Sequence, residues 1–134
     1  MISIESELFT TIATALRGEF SGIFVSGEYV RQPPQFPAVS IVEMDNAVYQ
    51  RGIDSGGIEN YVEVMYQVDV YSNRVQGKKA ECKAIMAKID DEFSKVGFVR
   101  TFLNPVQNMN DATVYRMTGR YRAVVGKDEQ VYRR

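Results

Sequence analysis

The chain has 134 residues, 45% hydrophobic and 25% charged, a length that fits one domain and a composition in the globular range. It holds no histidine and one cysteine, so Ser-His-Asp, Cys-His and histidine-metal centres, which need an imidazole base or ligand, are excluded within it. Sixteen basic against seventeen acidic side chains leave a formal net charge of -1, and no global field draws a polyphosphate.

In chain order, the first apolar pattern is Ile4, Leu8, Ile12 and Leu16, with Phe9 and Ala13 beside it, which predicts a helix over 4–17. Ser3 is its expected N-cap, Glu5 and Glu7 suit the positive end of the helix dipole, and Arg17-Gly18 supplies a stop. GIFVSGEYV at 22–30 reads as a weak, glycine-interrupted strand. PPQFP at 33–37 reads as a connector, because proline has no N–H for a ladder. Residues 38–49 and 58–72 read as a hairpin whose loop is Ile53-Asp54-Ser55-Gly56-Gly57. Within the second of these strands Val62, Val64, Tyr66, Val68 and Val70 point to one face, while Tyr61, Glu63, Met65, Gln67, Asp69 and Tyr71 point to the other.

A second helix follows, with Cys82, Ile85, Met86, Ile89, Phe93 and Val96 at helical offsets, Asn73 as its expected cap with Gln76 three residues on, and Gly97 at its C-terminal stop. Two further strands are expected at 98–103 and 113–125, separated by a polar loop around Asn104-Pro105 and Asn108-Met109-Asn110-Asp111. In the last strand Tyr115, Met117, Tyr121, Ala123 and Val125 share one face and Arg116, Thr118, Arg120 and Arg122 the other. The expected fold is α+β: one two-layer domain over 1–134, with an antiparallel or mixed sheet and both helices packed on one face.

Few side chains form a reactive set. Cys82 lies on the apolar stripe of its helix, where a free thiol behaves as a small hydrophobe and makes no disulfide, so no oxidising compartment is implied. Asp90-Asp91-Glu92 with Glu81 point in different directions around a helix and read as a solvated face rather than a cation site. The glycines at 52, 56 and 57 and the Gly77-Lys78-Lys79 triplet lack the spacing and the following Ser/Thr of a phosphate-cradling loop. Pro34-Gln35-Phe36-Pro37 matches a bare PxxP pattern, but reads as a rigid approach to the sheet. No metal and no cofactor are expected.

The arginine row has two readings. Arg116, Arg120 and Arg122 form either a phosphate track or half of an electrostatic interface, against the plainer reading of cross-strand pairing with acids such as Glu63 or Asp69. The same face carries Tyr61, Met65 and Tyr71, residue types enriched at the centres of interfaces. These six residues, with Gly56 and Gly57 of the long loop, are the candidate contact residues. MISIESELF has no basic segment followed by an apolar core, and no apolar run reaches the ~18 residues of a membrane span. A reducing cytoplasm and no membrane partner are therefore expected.

Several stretches, in order, resemble the small tail-completion, or tail-terminator, proteins of long-tailed bacteriophages and prophages. They are Phe36-Pro37-Ala38-Val39-Ser40-Ile41, then Tyr66-Gln67-Val68-Asp69-Val70-Tyr71-Ser72, Gly77-Lys78-Lys79-Ala80, Gly97-Phe98-Val99-Arg100, Arg120-Tyr121-Arg122-Ala123-Val124-Val125 and Val131-Tyr132-Arg133-Arg134. The resemblance spans about 4–134 and rests on packing and turn residues rather than a reactive signature. It implies a non-enzymatic subunit of the virion tail, assembled in the bacterial host cytoplasm. Such subunits form a ring, commonly a hexamer, that caps the head-proximal end of the tail tube and offers a surface to the neck. The partners it implies are other copies of the chain, the tail-tube protein and the head-neck connector proteins, with DNA only passing through a channel. Small head-to-tail connector subunits are the nearest alternative. Two other classes stand beside it: a small α+β binding module or enzyme that works with carboxylates, Tyr and Arg, and an adaptor that adds a partner's strand to a sheet edge.

Overall fold

Helix α1 (Glu5–Glu19) presents Leu8, Ile12, Ala13 and Leu16 to the interior, the stripe its 3.6-residue spacing predicts. The computed structural model describes residues 1–30, 32–48, 61–106, 113–128 and 130–132. The N-cap of α1 is Ile4, without a side-chain bond, so Ser3 does not cap it. Nor does Gly18 stop it: the helix runs through Gly18 to Glu19 and closes when Phe20, in extended conformation, donates its N–H to Leu16 O at 2.8 Å.

Strand β1 (Phe24–Ser26) follows, then the connector, in which the Phe36-Pro37 bond is cis, then β2 (Ala38–Val48) and β3 (Tyr61–Ser72). Helix α2 (Lys78–Val96) begins after Gly77, the N-cap, held in the left-handed region at φ 83°, so the expected cap at Asn73 is corrected. Gly77 lies four positions beyond Asn73, and φ > 0 there suits a residue without a Cβ. At its other end Gly97 sits at φ 101° while Phe98 donates its N–H to Phe93 O at 3.0 Å, the six-to-one closure that favours glycine. Strands β4 (Val99–Val106), β5 (Tyr115–Gly126) and β6 (Val131–Tyr132) complete the chain. Asn104 and Pro105, expected in a loop, belong to β4; a proline is tolerated because β4 is an edge strand, where one side needs no donor.

The sheet runs β1-β2-β3-β5-β4, with β6 beside the far end of β5. It is mixed: β1 is parallel to β2 and every other pair is antiparallel. Both helices pack on one face of it. Leu8, Ile12 and Leu16 of α1 and Cys82, Ile85, Ile89 and Phe93 of α2 enclose Val62, Val64, Tyr66, Val68 and Val70 in one core. Phe93 is its aromatic centre, stacked on Tyr121 at 4.2 Å and 2° and edge-on to Phe98 at 5.1 Å. Offset and edge contacts of this kind add to the area buried. The fold is α+β as the periodicities predict, and period two in β3 sorts its faces correctly: each of the five residues assigned to the core face is buried.

Candidate interface on the open sheet face

The face of the sheet turned away from the helices is ordered by the β3–β5 register. Tyr71 lies opposite Arg116, Asp69 opposite Thr118, Gln67 opposite Arg120, and Met65 opposite Arg122. Directly opposed side chains stand about 5 Å apart, and diagonal neighbours remain within reach of a guanidinium. Arg116 Nε donates to Asp69 Oδ1 at 3.0 Å, Arg122 reaches Glu63 at 3.5 Å, and Arg120 Nε donates to the neutral Gln67 Oε1 at 3.1 Å. The row is thus cross-paired, with Arg120 the member that has no acidic partner among the described residues. Its guanidinium also lies 5.0 Å over the Phe102 ring.

Asp69 anchors the arrangement. Its side chain is 3% exposed, and it accepts from Arg116, from the Thr118 hydroxyl and from Gln67 Nε2. A carboxylate this deep is tolerated only when its oxygens are satisfied and its charge is met. Burial pulls the Arg116 pKa down, but the hydrogen bond and charge of Asp69 outweigh it, and the net movement is upward.

Tyr71 is corrected by the structure. Expected on an uncovered face, it is 3% exposed and packs in a small second cluster with Ala38 and Val114, flanked by Phe24 and Phe36. The connector closes over that end of the sheet, which strand alternation alone does not show. Burial pushes the Tyr71 hydroxyl up to about 12, with the Asp69 charge adding to it. Tyr61 and Met65 are half-buried, and Arg120 and Arg122 are exposed. Gly56 and Gly57, with the whole loop proposed for the first hairpin, lie outside the described residues, as do Tyr49, residues 58–60, the 108–111 loop segment and the Arg133-Arg134 end. Phe102, Val42 and Asp45 share the open face but carry no sequence signal for it, because β2 and β4 each contain a bulge that shifts register, between Glu43 and Asp45 and between Arg100 and Phe102.

The other groups are structural. Cys82 is fully buried, its Sγ 3.7 Å from the carbonyls of Val70 and Tyr115, and desolvation pushes the thiol up to about 12. The helix acids diverge as expected. Asp90 accepts from the Tyr121 hydroxyl at 3.0 Å and from Arg100 at 3.1 Å, whereas Glu81 takes the Ser72 hydroxyl at 2.6 Å and Glu92 lies 3.5 Å from Lys95. Among the described residues no three His, Cys, Asp or Glu side chains converge as a metal site would require. No described helix is long and apolar enough to cross a membrane. The open face thus carries charged groups fixed by cross-strand bonds, with apolar surface at Met65 and Phe102 between them.

In comparison with known proteins, no family model and no curated protein matches the chain. Its fold is similar to that of a chain in a solved structure described as the virion of a native gene transfer agent (GTA) particle, with a TM-score of 0.63 over 98% of both chains at 17% identity.

Proposed function

We propose that the chain is a structural, non-enzymatic subunit of a phage-like virion, acting as a tail terminator: a ring of copies that caps the head-proximal end of the tail tube and joins it to the neck. The observation that carries this reading is the likeness, over almost the full length of both chains, to a component of a virion particle. The open sheet face, with its charges mostly cross-paired, supports it, because a ring needs one patch that binds a different patch on the next copy. Tyr61, Met65, Arg120 and Arg122 are the side chains there that a neighbour or the tube would meet. The work is geometric: stopping growth requires a surface that fits the last tube ring and offers no site for another.

Light scattering over a concentration series, followed by negative-stain imaging with purified tail tubes, tests the proposal. Rings seated at one tube end are the expected result. Binding to the capsid portal in preference to tubes would move the assignment to a head-to-tail connector, and a chain that stays monomeric and ignores both would overturn it.

A further inference from the structure

One edge of the sheet is left open along most of a strand. β1 pairs Ala38, Val39 and Ser40, three of the eleven residues of β2, and among the described residues nothing pairs on that side with the remaining eight, Ile41–Val48. Unpaired backbone donors and acceptors on an edge are a template for another strand, and proteins that leave one bare guard it with charge or bulges. Here the chain turns away after Ser26, and a groove of about 730 Å³ opens beside the edge, between the first turns of α1 and the end of β1, with Phe9 and Ile41 among its apolar lining. Met44, at the bulge, and Val48 are 54% and 42% exposed on the same strand. Among the described residues the charge around it is acidic: Glu43 and Asp45 on the strand, Glu5 and Glu28 lining the groove, against Arg17.

The opposite end of the sheet is closed by β4. β4 has eight residues, and among the described residues nothing pairs with its outer edge. It carries Arg100 on the helix side, bonded to Asp90, while Phe102 lies on the open side with Arg120 above it. Val99 is 55% exposed at its start. Three successive antiparallel pairings separate β2 from β4, so β4 runs opposite to β2, and a neighbouring copy in the same orientation brings the two edges together antiparallel. Two acidic edges repel each other. Two β4 edges paired antiparallel along their length set Arg100 opposite Pro105, which has no N–H to give, so that pairing loses a ladder bond on each strand. Pairing of either edge with its own kind is thus disfavoured, which favours a head-to-tail over a two-fold contact.

We propose that the Ile41–Val48 edge of β2 receives the Val99–Asn104 edge of β4 from a second copy of this chain, extending one sheet across neighbours. The inference rests on the assembly reading above and names the contact that assembly uses. Asp45, which has no ion-pair partner among the described residues, then meets the open side of the next copy's β4, where Arg120, over Phe102, likewise has no acid among the described residues.

Cross-linking of the full-length chain tests it. Asp45→Cys and Val99→Cys are made separately, mixed or kept apart, and treated with a short bis-maleimide; the buried Cys82 keeps the background silent. Covalent dimer in the mixture, with none from either variant alone or from the wild type, is the expected result. Dimer from the single variants as abundant as from the mixture means a two-fold contact and overturns the proposal. Oligomers by light scattering without the mixed cross-link overturn the edge contact and leave the assembly reading standing. A monomer at every concentration, with no cross-link, overturns both. As a second variant pair, Asp45→Arg is expected to abolish assembly and to regain it when combined with Arg120→Glu. Absence of rescue in a folded double variant removes the charge argument.

Discussion

Replacing Asp69 by alanine leaves the Arg116 guanidinium, whose side chain is 18% exposed, and the buried Thr118 hydroxyl without the oxygen both use. Removing one partner of a buried pair costs about 3–5 kcal/mol, chiefly because the other charge stays desolvated; the partial exposure of Arg116 sets the expectation at the low end, about 3 kcal/mol. For 134 residues at about 2.1 cal/mol/K each, the entropy of unfolding is about 0.28 kcal/mol/K, so the melting temperature is expected to fall by about 11 °C. The assay is thermal and urea unfolding followed by circular dichroism for Asp69→Ala, Arg116→Met and the double variant. The double variant is expected to recover most of the loss, because an apolar chain of similar length needs no counter-charge. A single variant within about 0.5 kcal/mol of wild type, or two losses that simply add, would refute the reasoning that Asp69 is held there by the charge it meets.

Three further outcomes are expected. Phe93→Ala removes a fully buried ring that contacts Tyr121, Phe98 and Tyr66, and is expected to cost about 3–5 kcal/mol in urea unfolding; a loss under about 1 kcal/mol would mean the core is centred elsewhere. Gly97→Ala forces a Cβ into φ 101° at the end of α2, with an expected cost of about 1 kcal/mol that a neutral result would contradict. The thiol of Cys82 and the hydroxyl of Tyr71 are each raised to about 12 in the folded state, from ordinary values of 9.0 and 10.0. Above pH 9 the unfolded chain releases protons that the folded chain keeps. Stability is therefore flat with respect to these two groups below pH 9 and falls as pH rises toward 12, and a urea midpoint that stays constant up to pH about 11 would count against both burials.

The sequence exposes its layers through period. Spacing of 3.6 locates both helices, and strict alternation in β3 puts Val68 and Asp69 on opposite faces. What it hides is whatever depends on a neighbour. Tyr71 obeys its strand's alternation and is buried all the same, because a connector with no periodicity of its own folds over it. Asn104-Pro105 reads as a turn by residue type and becomes strand because β4 happens to be at an edge. The helix starts differ for another reason: Ser3 and Asn73 are good caps in isolation, but backbone geometry at Ile4 and Gly77 begins the helices without a side-chain bond. The pairing of the arginine row with Asp69 and Glu63 was readable as a possibility only, since register decides which acid stands diagonal to which base. The part of β2 beyond β1 could not be seen at all, because an unpaired edge is a property of the sheet rather than of any strand.

The internal bonding of the open face has an electrical consequence. Three arginines in a row would make a cationic stripe able to hold a passing polyanion, but Asp69 cancels Arg116 and Glu63 cancels Arg122, so the stripe presents about one net positive charge, at Arg120. Counterion release grows with each phosphate neutralised, and one charge gives a slope of only about -0.9 in the salt dependence of DNA binding. A face balanced in this way gives a polyanion little to grip at physiological ionic strength.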